Sequence, residues 1–185
     1  RLFQYEDKAD IINIEPARQK DWLRSDISLV QAKVDNIRFK ETKQKEPQLD
    51  IHYTIESSQY GNKTGKRLFI PVNIFHKGFY SPSNQGERTQ DIQINYGYLD
   101  IDSLNIRLPE GYEIESLPKT TDMETKFGKF HSSITLEEGG NILIVHRLLF
   151  HQGNYPKEDN TDFMDFRKNV ATQYAAKIIV KKSGE

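Results

Sequence analysis

Residues 130–150 read Phe130-His131-Ser132-Ser133-Ile134-Thr135-Leu136-Glu137-Glu138-Gly139-Gly140-Asn141-Ile142-Leu143-Ile144-Val145-His146-Arg147-Leu148-Leu149-Phe150, and this stretch decides the fold class. Phe130, Ile134 and Leu136 recur with the two-residue period of a strand, with Ser132 as the small member of that face. Glu138-Gly139-Gly140-Asn141 follows at hairpin spacing, and glycine supplies the positive φ that tight hairpins demand. The run from Ile142 to Phe150 is apolar on both faces for most of its length, the pattern expected of a central strand covered on both sides. A β-hairpin is therefore predicted, and it sets the period by which the rest of the chain is read.

The same alternation recurs on both sides of this hairpin. Leu49, Ile51, Tyr53 and Ile55 line one face of a half-buried strand, and Ile92, Ile94, Tyr96 and Tyr98 line another. Leu104, Ile106 and Leu108 form a third such set, and Ile178 to Val180 reads as a short closing strand. Leu68 to Phe75 is apolar throughout, but Pro71 removes a ladder donor, which predicts an edge strand or a bulge. Pro109-Glu110-Gly111 and Tyr60 to Gly65 are turns. His76 to Thr89 is a long loop rich in Gly, Pro, Ser and Asn. One late helix is predicted: Phe163, Phe166, Val170 and Tyr174 share a helical face, with Asp159, Asp162 and Asp165 toward its N-terminal end. Eight or nine short strands and one C-terminal helix give a mainly β, antiparallel β-sandwich (Ig-like or related) over residues 28–185. Residues 1–27 read as a lead-in from a preceding domain, with a short helix from Ala17 to Arg24 that docks by Trp22 and Leu23.

Composition narrows the function classes. The chain has 185 residues, 26 basic and 27 acidic, for a net charge of −1. That balance argues against a nucleic-acid platform, which needs a basic excess, and against a polybasic membrane-surface module. No apolar run approaches the ~20 residues that span a bilayer. There is no cysteine, which excludes a thiol nucleophile, a thiolate metal site and a disulfide within these residues. Arg1 in place of Met gives the expectation of a processed or excised fragment, with an export signal or anchor upstream.

Chemistry-bearing patterns are sparse. The five histidines, His52, His76, His131, His146 and His151, form no metal-ligand pair. His131 and His146 lie on the two strands of the predicted hairpin, and a metal site between them is the remaining metal reading; ordinary sheet histidines are the simpler one. Asp159 to Asp165 lacks the glycine and bidentate glutamate of a calcium loop and reads as a helix-start acidic cluster. Asp100 and Asp102 share a strand face, as paired carboxylates or as solvated residues flanking buried Leu99 and Ile101. No catalytic, cofactor or metal residue is assigned. Phe79, Tyr80, Tyr96 and Tyr98 are the candidate ligand or partner contacts, since exposed aromatics stack on sugars or anchor protein partners. A carbohydrate-binding module is the alternative that rests on them.

Several segments together resemble a known family. Gly65-Lys66-Arg67-Leu68-Phe69-Ile70-Pro71-Val72-Asn73, Leu108 to Pro118, Phe127-Gly128-Lys129-Phe130, Gly153-Asn154-Tyr155-Pro156 and the closing Lys177 to Lys182 occur in the order found in the C-terminal domain of transglutaminase-like proteins from Bacteroidetes. The resemblance covers roughly residues 28–182. It implies a β-sandwich in an exported, cell-envelope protein, with a transglutaminase-like domain preceding it in the same chain as its partner. It carries over no catalytic residue, because the Cys of such a core has no counterpart here. A non-catalytic accessory domain is the expectation.

Overall fold

The computed structural model describes residues 5, 8–45, 47–76, 79 and 88–183. The chain forms two compact units, residues 1–60 with 74–77, and residues 61–73 with 78–185.

In the first unit, Pro16 opens a ten-residue helix, α1 (Pro16–Ser25), at the position where its missing N–H is harmless. Leu23 is the buried residue of that helix, while Trp22 stays half-buried. Arg24 then folds the chain back, donating to the carbonyls of Ile27 and Leu29 at 2.9 and 2.7 Å. Two antiparallel strands follow, β1 (Lys33–Thr42) and β2 (Gln48–Glu56). The register shifts between Asp35 and Arg38, where Asn36 has φ +55°. Beside this bulge Asp35 accepts from Lys20 of α1 at 2.6 Å and from Lys33 at 2.8 Å. These two ammonium groups hold its carboxyl below the usual carboxylate range.

The second unit carries the predicted hairpin. Its strands are β3 (Asn62–Thr64), β4 (Arg67–Pro71), β5 (Ile92–Ile94), β6 (Tyr98–Arg107), β7 (Tyr112–Ser116), β8 (Thr121–Thr125), β9 (Gly128–Leu136), β10 (Asn141–Phe150), β11 (Gly153–Tyr155) and β12 (Lys177–Lys182). Helix α2 (Asn160–Tyr174) lies between the last two. Two four-stranded antiparallel sheets result, in the orders β6-β10-β9-β8 and β3-β4-β12-β7, and β5 pairs with β11. The mainly β antiparallel architecture with one C-terminal helix is thus the one the periodicities predict. Between β9 and β10 the chain turns through Gly139 and Gly140, at φ +82° and +79°.

Each sheet buries one face. Phe130, Ile134, Ile142, Ile144, Leu148 and Phe150 close the inner face of the first sheet, and Ile70, Ile178 and Val180 that of the second. Helix α2 packs on the first sheet through Phe166 against Phe150 and Phe163 against Phe127.

Several local expectations change. Leu68 to Phe75 is not one strand: β4 stops at Pro71, opposite Lys177 of β12, and β3 reaches only Phe69, so the proline sits where β4 has a neighbour on one side, as its missing donor leads one to expect. Likewise β12 does not close a sheet but lies inside it, between β4 and β7. Strand β10 is central, yet covered on one face only; Leu143, Val145 and Leu149 are half-buried and Arg147 is exposed.

Candidate functional site

The uncovered face of the first sheet is the outstanding surface of the second unit. In β6 the side chains alternate so that Tyr98, Asp100, Asp102, Leu104 and Ile106 turn inward and Leu99, Ile101, Ser103 and Asn105 turn outward. This inverts the expectation for residues 99–102: Leu99 and Ile101 are 47% and 52% exposed, and the two aspartates are half-buried. The reason is tertiary. Tyr98 stacks on the core ring of Phe150 at 5.1 Å, and a strand with period two must then present residues 99 and 101 to the other side.

The ladder registers set out the outer face row by row. One row across the four strands is Ile101, Arg147, His131 and Asp122; the next is Leu99, Leu149, Lys129 and Glu124. Together they floor a shallow trough of about 530 Å³. On its β8 side the polar groups are paired, Lys129 with Glu124 at 2.7 Å and His131 Nδ1 with the Asp122 carboxylate at 2.7 Å. Its β6 side is apolar. Arg147 stands between the two halves, flanked by Ile101 and His131, and among the described residues its side chain has neither a hydrogen bond nor an ion pair. The planar fork of a guanidinium matches a carboxylate in bidentate geometry.

On the inner face a polar group is shut into the core. His146 is 1% exposed, and its Nε2 donates to the carbonyl of Val72 at 3.2 Å. The ring of Tyr174 meets it edge-on at 5.3 Å, and Asp102 lies opposite His146 in the ladder. Burial, reinforced by Asp102, Asp100 and Tyr98, pushes the Tyr174 phenol upward. Tyr98 is pushed up to about 12, first by burial and then by Asp100. His146 and Tyr174 are closed to solvent, so these groups order the packing rather than meet a substrate.

The residues singled out from the sequence disperse. His131 and His146 do sit on one hairpin, but His131 faces outward and His146 inward, so they cannot share an ion. Phe79 packs edge-on against Tyr174 at 5.5 Å, under the Arg167 guanidinium. Tyr98 belongs to the core layer. Tyr96 is 64% exposed, but it falls in the break between β5 and β6 and so does not share a strand with Tyr98. Tyr80 lies outside the described residues. Phe79 and Tyr98 are thus packed against other rings, and Tyr96 is the exposed one of the three. Arg147, Leu99 and Ile101 were the residues missed. An arginine inside an otherwise apolar strand must point to solvent, and that parity was the available signal.

Residues 66–180 match the family model described as a Domain of Unknown Function with solved structure, DUF3858. No curated protein matches. A solved structure from Parabacteroides distasonis, described as a "putative protease", aligns at a TM-score of 0.45 and 11% identity over 56% of this chain. The chain spans 22% of that protein's length.

Proposed function

This chain belongs to the Domain of Unknown Function family DUF3858, and from that premise we propose that it serves as a non-catalytic accessory domain, packing through the outer face of its β6-β10-β9-β8 sheet on another domain of a longer protein. The observation that carries the reading is the exposure of Leu99 and Ile101, side by side with half-buried Leu149, on a sheet whose opposite face is already closed by its core. Contiguous apolar side chains that add nothing to their own core are typical of surfaces that meet a partner. The partner proposed is a preceding transglutaminase-like domain in an exported, cell-envelope protein. Its support is the ordered set of motifs from Gly65 to Lys182, which coincides with the span of the family match.

Two experiments test this. The purified chain, incubated with peptide and glutamine-amide substrates, is expected to release neither fragments nor ammonia; turnover would overturn the non-catalytic reading. In the full-length protein, a photo-crosslinking residue at position 101 is expected to capture peptides of the preceding domain. Capture of none, with capture at a position elsewhere on the surface, would overturn the proposed face.

A further inference from the structure

We infer that the occupant of the outer trough is an amphipathic acidic segment, with a carboxylate seated on Arg147 and apolar side chains on Leu99, Ile101 and Leu149. This inference rests on the preceding reading of the face and names the chemistry of what it binds. Charge complementarity selects the sign. The acids of the trough, Asp122 and Glu124, are already engaged by His131 and Lys129. Arg147 is the charged side chain of the trough with neither a hydrogen bond nor an ion pair among the described residues, so position 147 is where a negative charge is taken up.

Geometry selects the amphipathic form. Arg147 and Leu149 are two residues apart on β10, and Ile101 and Leu99 face them across the ladder at positions about 5 Å away. A carboxylate above Arg147 therefore brings the flanking side chains of the same segment down on an apolar floor. A guanidinium is weakly hydrated and presents a planar fork, so it forms such a pair at a half-buried surface with less desolvation than an ammonium. A basic segment would set like charges over Arg147 and Lys129, and a purely apolar one would bury Arg147 without an acid.

The test uses the whole chain, isotopically labelled, and two helical peptides of about 14 residues, one of Leu, Ala and Glu and the other with every Glu replaced by Lys. The acidic peptide is expected to shift the amide signals of residues 99–101, 129–131 and 147–149, and to bind about ten-fold more tightly than the basic one. Arg147→Glu is expected to invert that preference, and Arg147→Gln to abolish it. Position 147 is exposed, so both variants keep the parent's spectral dispersion. Equal binding of the two peptides, shifts confined to other residues, or a preference unchanged in Arg147→Glu would overturn the inference. Concentration-dependent shifts of the same signals without peptide would do so too, by making a second copy the occupant. Crosslinking at position 101 that finds the neighbouring domain, without any charge preference, would sink this inference alone. A charge preference without that crosslink would sink only the domain-packing reading.

Discussion

The Nε2 of His146, on the inner face of one sheet, donates to the carbonyl oxygen of Val72, one residue past β4 of the other sheet, at 3.2 Å. A carbonyl can only accept, so the ring proton is on Nε2. His146 is thus a core residue that joins the two sheets by a directional bond as well as by packing.

His146→Ala removes that donor and leaves a cavity beside Phe130 and Tyr174. It is expected to destabilise the unit by roughly 2–4 kcal/mol, the sum expected for a lost buried hydrogen bond and an unfilled space. His146→Leu restores most of the volume but not the donor, and should recover about half of the loss. Urea unfolding of the three proteins measures both. Equal stability of wild type and His146→Ala would show that the bond and the packing contribute nothing.

Gly128 gives a second stability prediction, and a reason for a motif. A Cβ at this position would lie 2.0 Å from the carbonyl oxygen of Leu149. Backbone is in the way, so Gly128→Ala is expected to cost about 3 kcal/mol or to prevent folding, on the scale of forced core overpacking. Gly65 is a built-in comparison: nothing lies within 4 Å, and only its φ of +59° opposes a side chain. Gly65→Ala should cost about 1 kcal/mol. Thermal unfolding of the pair would refute this account if the two losses came out in the reverse order.

These positions show what was legible in the sequence. The hairpin of β9 and β10 was, because its two strands alternate or run apolar and its turn needs two glycines at positive φ. Helix α2 was legible for a similar reason, since Phe163, Phe166, Val170 and Tyr174 fit one period and the structure buries that face. The orientation of β6 was misread. Leu99 and Ile101 have odd numbers and Leu104 and Ile106 even ones, so an unbulged strand buries only one of these sets. The choice was made by Tyr98 on Phe150, a contact 52 residues apart in the chain. Gly128 was recognised as part of a motif, but its cause, the Leu149 carbonyl, is a cross-strand neighbour that no local pattern reveals.

The phenol of Tyr98 predicts an alkaline limit to stability. Its folded value is raised from 10.0 to about 12, mainly by burial. A raised value means that the folded protein holds this proton more tightly than the unfolded chain does. The corresponding stabilisation is complete below pH 10 and declines as pH rises from there toward 12. Tyr174 is likewise raised, first by burial and then by Asp102, Asp100 and Tyr98, and acts in the same direction. Unfolding free energy is expected to fall across this window, and Tyr98→Phe to flatten the fall. An identical slope in the variant would assign the alkaline loss to other groups.

The exposed apolar pair yields the last prediction, which separates stability from recognition. Ile101 and Ile144 are both isoleucines of the same sheet, 52% and 0% exposed. Ile144→Thr puts a hydroxyl into the core and is expected to cost about 2–3 kcal/mol. Ile101→Thr removes a side chain that already meets water and should change stability by no more than about 0.5 kcal/mol. If Ile101 faces a partner, the same substitution in the full-length protein has a second effect, because the side chain is then covered. The expected result is a negligible shift in the isolated chain and a measurable one, near 1 kcal/mol, in the longer protein, the scale of a few buried methyl groups. Equal and negligible shifts in both would leave Ile101 solvated in the longer protein, and would remove the apolar pair as the ground for an interaction surface.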